Sequence, residues 1–245
     1  MIEFGLEALR DAEARVAIEP VDPSLLRSLR EHVHERLRRL IIAGRFAEGA
    51  RLQERDVAAM LGISVTPVKD ALRMLEGEGL VRIEPRRGVF VLFGPRRAYE
   101  MALARAALEG VMAGIAARRI APASVEEMAA LVAAMEHATE HGVLEEIVTL
   151  NQSFHGLIAR ISRCDYLQSR LESQQMYDHA RRIALLERFE ERRAGFDEHR
   201  GIYEAIMARD PDEAERRMRA HILRSARHFL NYVFGTGLLE SDYVD

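Results

Sequence analysis

Residues 41–91 read IIAGRFAEGARLQERDVAAMLGISVTPVKDALRMLEGEGLVRIEPRRGVFV. Two short helical patterns meet at a tight turn on Gly62. The first spans Leu52 to Met60. The second opens at Ser64, a residue type that caps helix N-termini, and accepts Pro67 in a first turn whose amides lack intrahelical acceptors. Val68, Leu72 and Leu75 recur at helical spacing, and Gly77 and Gly79 end the run. Leu80–Glu84 and Gly88–Phe93 then read as two strands around a Pro85-Arg86-Arg87-Gly88 tip. Helix, turn, helix and a basic two-strand wing make a winged helix-turn-helix, and the partner that such a unit implies is double-stranded DNA.

Working outward, the apolar residues Leu29, Val33, Leu37, Leu40 and Ile41 predict a long helix over 24–43 that ends at Gly44. Residues 1–22 form an N-terminal extension, 23–94 the winged unit, 95–234 a second unit and 235–245 a tail, with Gly94-Pro95 as the boundary. Beyond Pro95 the period is 3.6 throughout. Helices are expected near 97–119, 124–141, 144–163, 166–192, 195–209 and 211–233. Their short connections favour an antiparallel all-α bundle. The fold class is therefore mainly α.

Charge divides the chain the same way. Residues 24–97 hold 15 Lys/Arg against 9 Asp/Glu, while the remainder holds 20 against 30. A basic unit on an acidic one fits DNA binding by the first part only, although the whole chain carries a net −4. The single cysteine, Cys164, excludes a disulfide framework and fits a reducing cytoplasm. The acidic N-terminus lacks the apolar core of a signal peptide, and no apolar run is long enough for a membrane span.

A recognition helix inserts its N-terminal residues into the major groove. Here these are Ser64, Val65, Thr66 and Lys69. Lys69 suits a guanine edge or a phosphate, and the hydroxyls suit either. Arg55 at the start of the preceding helix, and Arg86, Arg87 and Gly88 in the wing tip, suit backbone or minor-groove contacts. The alternative, an ordinary solvated arginine surface, does not account for turn, glycines and wing falling in one register.

In the second unit Asn151 and His155 are four apart on a face with Ile147, Val148, Phe154 and Ile158. His199 shares a face with Ile202, Tyr203 and Ile206, and His221 one with Met218, Ile222, Ser225 and Phe229. All three stripes point inward. A buried imidazole needs a partner. One shared divalent metal satisfies all three, but by periodicity alone separate hydrogen bonds in the core are the favoured account. His32, His34, His137, His141, His179 and His228 read as surface or capping residues.

The stretch AGRFAEGARLQERDVAAMLGISVTPVKDALRMLEGEGLV with PRRGVFV resembles the GntR superfamily of bacterial regulators. Two positions depart from the family pattern. Val65 stands where arginine is usual, and Lys69 replaces an arginine. Val65 would forgo a bidentate guanine contact and touch a thymine methyl instead, which implies an atypical operator. The second unit is similar to the FCD ligand-binding domain of the FadR-like subgroup, through RAALE at 105–109, NQSFH at 151–155, Glu198-His199 and His221.

The resemblance implies that Asn151, His155, His199 and His221 hold a divalent ion, most often zinc, with nickel and manganese as alternatives. It also implies a small organic acid as effector, with Arg105 as a second carboxylate anchor. Arg105 paired with Glu109 at i,i+4 is the plainer reading of that residue. The expected protein is a homodimeric transcriptional regulator, most often a repressor in this family. A regulator with a purely structural metal is the main alternative. A zinc hydrolase is a weaker one, since the chain has no H-E-x-x-H motif and no carboxylate placed as general base.

Overall fold

The computed structural model describes residues 23–172 and 186–235. The extension over 1–22, the tail beyond Gly235, His179 and the middle of the helix expected over 166–192 lie outside these residues. Helix α1 (Pro23–Ile42) is followed by β1 (Arg51–Leu52), α2 (Glu54–Leu61), α3 (Val65–Gly77), β2 (Val81–Glu84) and β3 (Gly88–Val91). The second half is helical among the described residues: α4 (Pro95–Arg119), α5 (Pro122–His141), α6 (Leu144–Ser162), α7 (Asp165–Glu172), α8 (Phe189–Met207) and α9 (Pro211–Phe234). No helix among them is long and apolar enough to cross a membrane.

The turn between α2 and α3 forms as its sequence dictates. Gly62 adopts φ 65° and its N–H closes back on the last turn of α2. That left-handed conformation favours glycine. Ser64 occupies the N-cap position of α3 with an extended backbone, but its side chain makes no capping bond. Val68, Leu72 and Leu75 are fully buried with Ile41 and Leu80 beneath the two helices. Leu40, expected in the stripe of α1, is 37% exposed and lies outside this core.

The wing is a three-stranded sheet in the order β1-β3-β2 rather than a two-stranded hairpin. β2 and β3 are antiparallel, with Glu84 opposite Gly88 across the tip. β1 adds Arg51 opposite Phe90 and Leu52 opposite Val89. The expected start of the second helix at Leu52 is thereby corrected: Leu52 completes the sheet and buries its side chain, and the helix begins at Glu54. Two further boundaries differ. The chain turns at 187–188, so the expected helix over 166–192 does not continue unbroken, and α8 runs through Gly195 without a break. A helical glycine costs only about 1 kcal/mol, which the packing of α8 on α9 and α5 offsets.

His34, expected at the surface, is partly buried in the winged unit. Its Nε2 lies 2.5 Å from Glu78 Oε1, and Arg38 Nε donates to Glu78 Oε2 at 2.8 Å. Glu78 closes α3, so this cluster fixes the recognition helix against α1. Burial alone would raise the Glu78 pKa, but the bonds from His34 and Arg38 outweigh it and hold the carboxyl below its ordinary value. A depressed carboxylate contributes stability that is present above its unfolded pKa and is lost as pH falls through the folded value. Glu78→Ala is therefore expected to cost about 2–3 kcal/mol at pH 7 and less at pH 3. Urea unfolding at the two pH values measures this, and equal losses at both would contradict the assignment.

Two cores run through the molecule. The first lies under the winged unit, and it also takes in Ala98, Met101 and Ala102 of α4 and Ala226, Phe229 and Leu230 of α9. The second lies inside the bundle around Met128, Phe154, Ile158, Ile202 and Met218. Helices α4 and α9 pack along much of their length. Gly110 and Gly114 let them approach: a Cβ on Gly110 would meet Arg219 Cγ at 2.5 Å, and one on Gly114 the Pro211 carbonyl at 3.0 Å.

Candidate functional site

Of the residues expected to face DNA, Arg55, Arg86 and Gly88 line one groove, and Lys69 pairs with Glu54 at its edge. Ser64, Thr66 and Lys69 are exposed along α3. Val65 is only half exposed and packs against the apolar core, so its methyl groups have less freedom to reach a base than the sequence suggests. Lys69 Nζ stands 3.5 Å from Glu54 Oε2, and Arg87 pairs with Glu84 at 2.5 Å. Arg55, Arg86 and Gly88 line an open groove of about 330 Å³ between α2 and the wing, with Arg51 as an unforeseen fourth member. Arg86 reaches out from the tip in a left-handed conformation, φ 64°. Neither Arg55 nor Arg86 pairs with a described acid.

The three histidines come together from three helices. His155 is supplied by α6, His199 by α8 and His221 by α9, and their ligating nitrogens lie within 4.8 Å of one another. Each ring is held at its Nδ1. Glu109 Oε2 lies 2.5 Å from His155 Nδ1, the Gly195 carbonyl 2.7 Å from His199 Nδ1, and Glu198 Oε2 2.7 Å from His221 Nδ1. A carboxylate or a carbonyl only accepts, so each Nδ1 carries the proton. The Nε2 atoms are then lone pairs, and those of His155 and His199 face each other at 3.3 Å.

Burial reinforces the neutral form. His221 is buried, and its pKa is pushed well below the usual imidazole range, first by burial and then by its neighbour His155. Two lone pairs at that separation repel unless a cation lies between them. The donor set therefore fits a divalent ion of the zinc type, which takes neutral imidazole nitrogen. Acceptors on the remote nitrogens are also what orients metal-ligating histidines.

One cavity of about 100 Å³ is lined by all three histidines together with Asn151 and Arg105. Every residue singled out in the second unit thus reaches one place. Asn151 sits one turn before His155 on the same face of α6. Arg105 keeps its pairing with Glu109 at 2.5 Å and still faces the cavity, so its two readings coexist. Burial alone would raise the Glu109 pKa. The charges and bonds of Arg105 and His155 outweigh it and leave the carboxyl ionised, well below the ordinary range.

Sequence reasoning missed the supporting carboxylates. Glu109 and Glu198 lie inside the quoted RAALE and Glu198-His199 elements, yet nothing local assigns them a histidine 46 or 23 residues away. It also missed the outer wall, where Glu191, Arg224, Ser225 and His228 line the cavity. His228, expected at the surface, is 41% exposed there and also borders the cavity, with its Nδ1 3.3 Å from Glu191.

Comparison with known proteins agrees with both units. Residues 29–91 match the bacterial regulatory proteins of the gntR family, and residues 100–224 match the FCD domain. The HTH-type transcriptional regulator YdhC of Bacillus subtilis is 28% identical over 83% of this chain and 92% of its own. The HTH-type transcriptional repressor RspR of Escherichia coli is 26% identical over 78% of this chain and 85% of its own. The solved structure of E. coli McbR/YncC superposes with a TM-score of 0.57 at 25% identity, covering 83% of this chain and 97% of that one. These relatives are transcriptional regulators, not enzymes. With one family match on each half and the FCD match alone covering 125 of the 245 residues, the chain belongs to the GntR family of DNA-binding transcriptional regulators, in the group whose second half is an FCD domain.

Proposed function

We propose that this regulator is a homodimeric repressor whose hold on its operator is set by a small organic acid bound at a metal ion. His155, His199 and His221 hold the ion, with Asn151 as an oxygen donor beside them. The observation that carries the reading is the locked tautomer of each histidine, which leaves three lone pairs converging on one cavity. FCD domains are known to bind metals, and zinc fits these ligands best. Bound there, the ion supplies a Lewis-acidic anchor for a carboxylate, and Arg105 supplies a cationic one. Ser64, Thr66, Lys69, Arg55 and the wing tip contact DNA, and the lack of an arginine at Val65 removes a base contact usual in the family pattern.

The dimer surface is read from α4. Leu103 and Val111 are 43% and 40% exposed, and Ala104 and Ala107 are exposed beside them. An antiparallel partner centred near residue 109 would set Leu103 against Ile115, Ala107 against Val111 and Glu100 against Arg118. Val111→Asp is expected to convert a dimer to monomer at micromolar concentration, as read by light scattering after gel filtration. An intact dimer would place the interface elsewhere.

Control follows from shared helices. Arg105 and Glu109 lie on α4, whose first turns belong to the winged-unit core, and His221 lies on α9, whose last turns belong to it too. An acid that shifts α4 against α9 would turn both winged units and change their spacing on the operator. It does so only if it binds the two arrangements with different affinity.

Metal analysis of the purified protein tests the reading. About one ion per chain is expected, absent from His155→Ala/His199→Ala, with at least one small acid raising the melting temperature only when metal is bound. A protein that loses its fold on chelation while no acid alters it would carry a structural ion instead.

A further inference from the structure

Two arginines leave the wing sheet on its outer face. Arg51 of β1 and Arg82 of β2 both stand opposite Phe90 of β3, so all three side chains share that face. The other face, with Leu52, Val81, Val89 and Val91, is buried in the core. The two arginines are met differently. Arg82 lies 2.7 Å from Glu84 Oε1. Arg87, from the tip, takes Glu84 Oε2 and sets its guanidinium carbon 5.9 Å from the centre of the Phe90 ring. Among the described residues no carboxylate pairs with Arg51.

Arg51 lies over Gly88 instead. Gly88 precedes Phe90 by two residues and therefore opens on the same face. A Cβ there would stand 2.7 Å from Arg51 Nε, too close for both to stay. The missing side chain at 88 is what lets the guanidinium lean along β3 toward the tip. In that pose Arg51 lines the groove between α2 and the wing that also holds Arg55 and Arg86. The acids of the groove are engaged elsewhere, Glu54 with Lys69 and Glu84 with Arg82 and Arg87. Three exposed arginines from β1, α2 and the wing tip thus face one channel. The planar guanidinium fork matches phosphate oxygens, and each DNA strand presents these in a regular row.

We propose that Arg51, seated on Gly88, is a further ligand of the DNA backbone, gripping with Arg55 and Arg86 the strand that passes between α2 and the wing. This rests on the reading of that groove as DNA-facing. A phosphate contact carries no sequence information. Its signature is an equal loss on any duplex together with a flatter salt dependence.

Fluorescence anisotropy over a salt series tests this on two duplexes of one length, an operator recovered by in vitro selection and an unrelated sequence. Arg51→Ala is expected to weaken binding to both by about 3- to 10-fold at 0.15 M salt, and to flatten the slope of log K against log salt by about 0.9. Arg51→Lys is expected to keep the slope. Arg82→Ala removes an arginine of the same face that Glu84 already neutralises, and is expected to move the slope by less than about 0.3. Gly88→Ala is expected to weaken binding in the wild type and to do so about threefold less in the Arg51→Ala background, the double-mutant measure of the seat. Circular dichroism melting confirms that each variant folds. An unchanged slope in Arg51→Ala, or an equal change in Arg82→Ala, would overturn the contact. A Gly88→Ala loss of the same size in both backgrounds would overturn the seat. If Arg55→Ala/Arg86→Ala also leaves affinity and slope unchanged, the DNA-facing reading of the groove falls as well. A double variant that loses both while Arg51→Ala loses neither removes Arg51 alone.

Discussion

Replacing His199 with alanine is expected to lower the affinity for zinc roughly 100- to 1,000-fold. The magnitude follows from sharing about 10–16 kcal/mol of binding among four ligands, with about 1.4 kcal/mol per factor of ten. His199 is the sharpest choice because it is 2% exposed and its Nε2 faces that of His155 at 3.3 Å. Alanine removes one of the converging lone pairs and leaves a hole that no neighbouring donor fills. Glu109→Gln is the graded companion. It keeps the shape but removes the charge that orients His155, and a loss of about 10- to 100-fold is expected. Competition against a chromophoric chelator reads both. Equal zinc affinity in wild type and His199→Ala would remove the ion from this site and leave the histidines as core residues.

Removing both Arg55 and Arg86 produces the largest expected loss on the DNA side. The two arginines flank one groove from opposite sides, and neither is neutralised by a described acid. Lys69 and Arg87, by contrast, must first give up Glu54 and Glu84. Arginines that each neutralise one phosphate steepen the salt dependence of binding by about 0.9 apiece. The Arg55→Ala/Arg86→Ala variant should therefore lose about 10- to 100-fold in operator affinity at 0.15 M salt. It should also flatten the slope of log K against log salt by about 2. Fluorescence anisotropy over a salt series gives both numbers. A fall in affinity with an unchanged slope would mean that the arginines act through the fold and not through phosphates.

Much of this was legible in the sequence, and the reasons are local. The turn at Gly62, the buried stripe Val68, Leu72 and Leu75, and the wing tip at 85–88 are encoded within a few residues of one another. The inward faces of His155, His199 and His221 follow from helical period alone, and all three reach one cavity. What the sequence hid depends on distant partners. β1 is two residues long, too short to show alternation, and exists only because β3 lies beside it. His34 reads as a surface residue until Glu78, 44 positions on, closes over it. Glu109 and Glu198 are ordinary helix acids until α6 and α9 bring a histidine to each. Periodicity identifies a buried face but not what buries it, so the double membership of α4 and α9 could not be read in advance.

That double membership makes the regulatory claim testable in one experiment. An operator fragment recovered by in vitro selection is titrated with zinc-loaded wild type and with His155→Ala/His199→Ala, each with and without a panel of small hydroxy acids. At least one acid is expected to weaken operator binding by wild type about 5- to 150-fold, the range of coupling between linked sites, and to leave the variant unaffected. Operator affinity that no acid changes in the zinc-loaded wild type, or that changes equally in the variant, would contradict control through the histidine site.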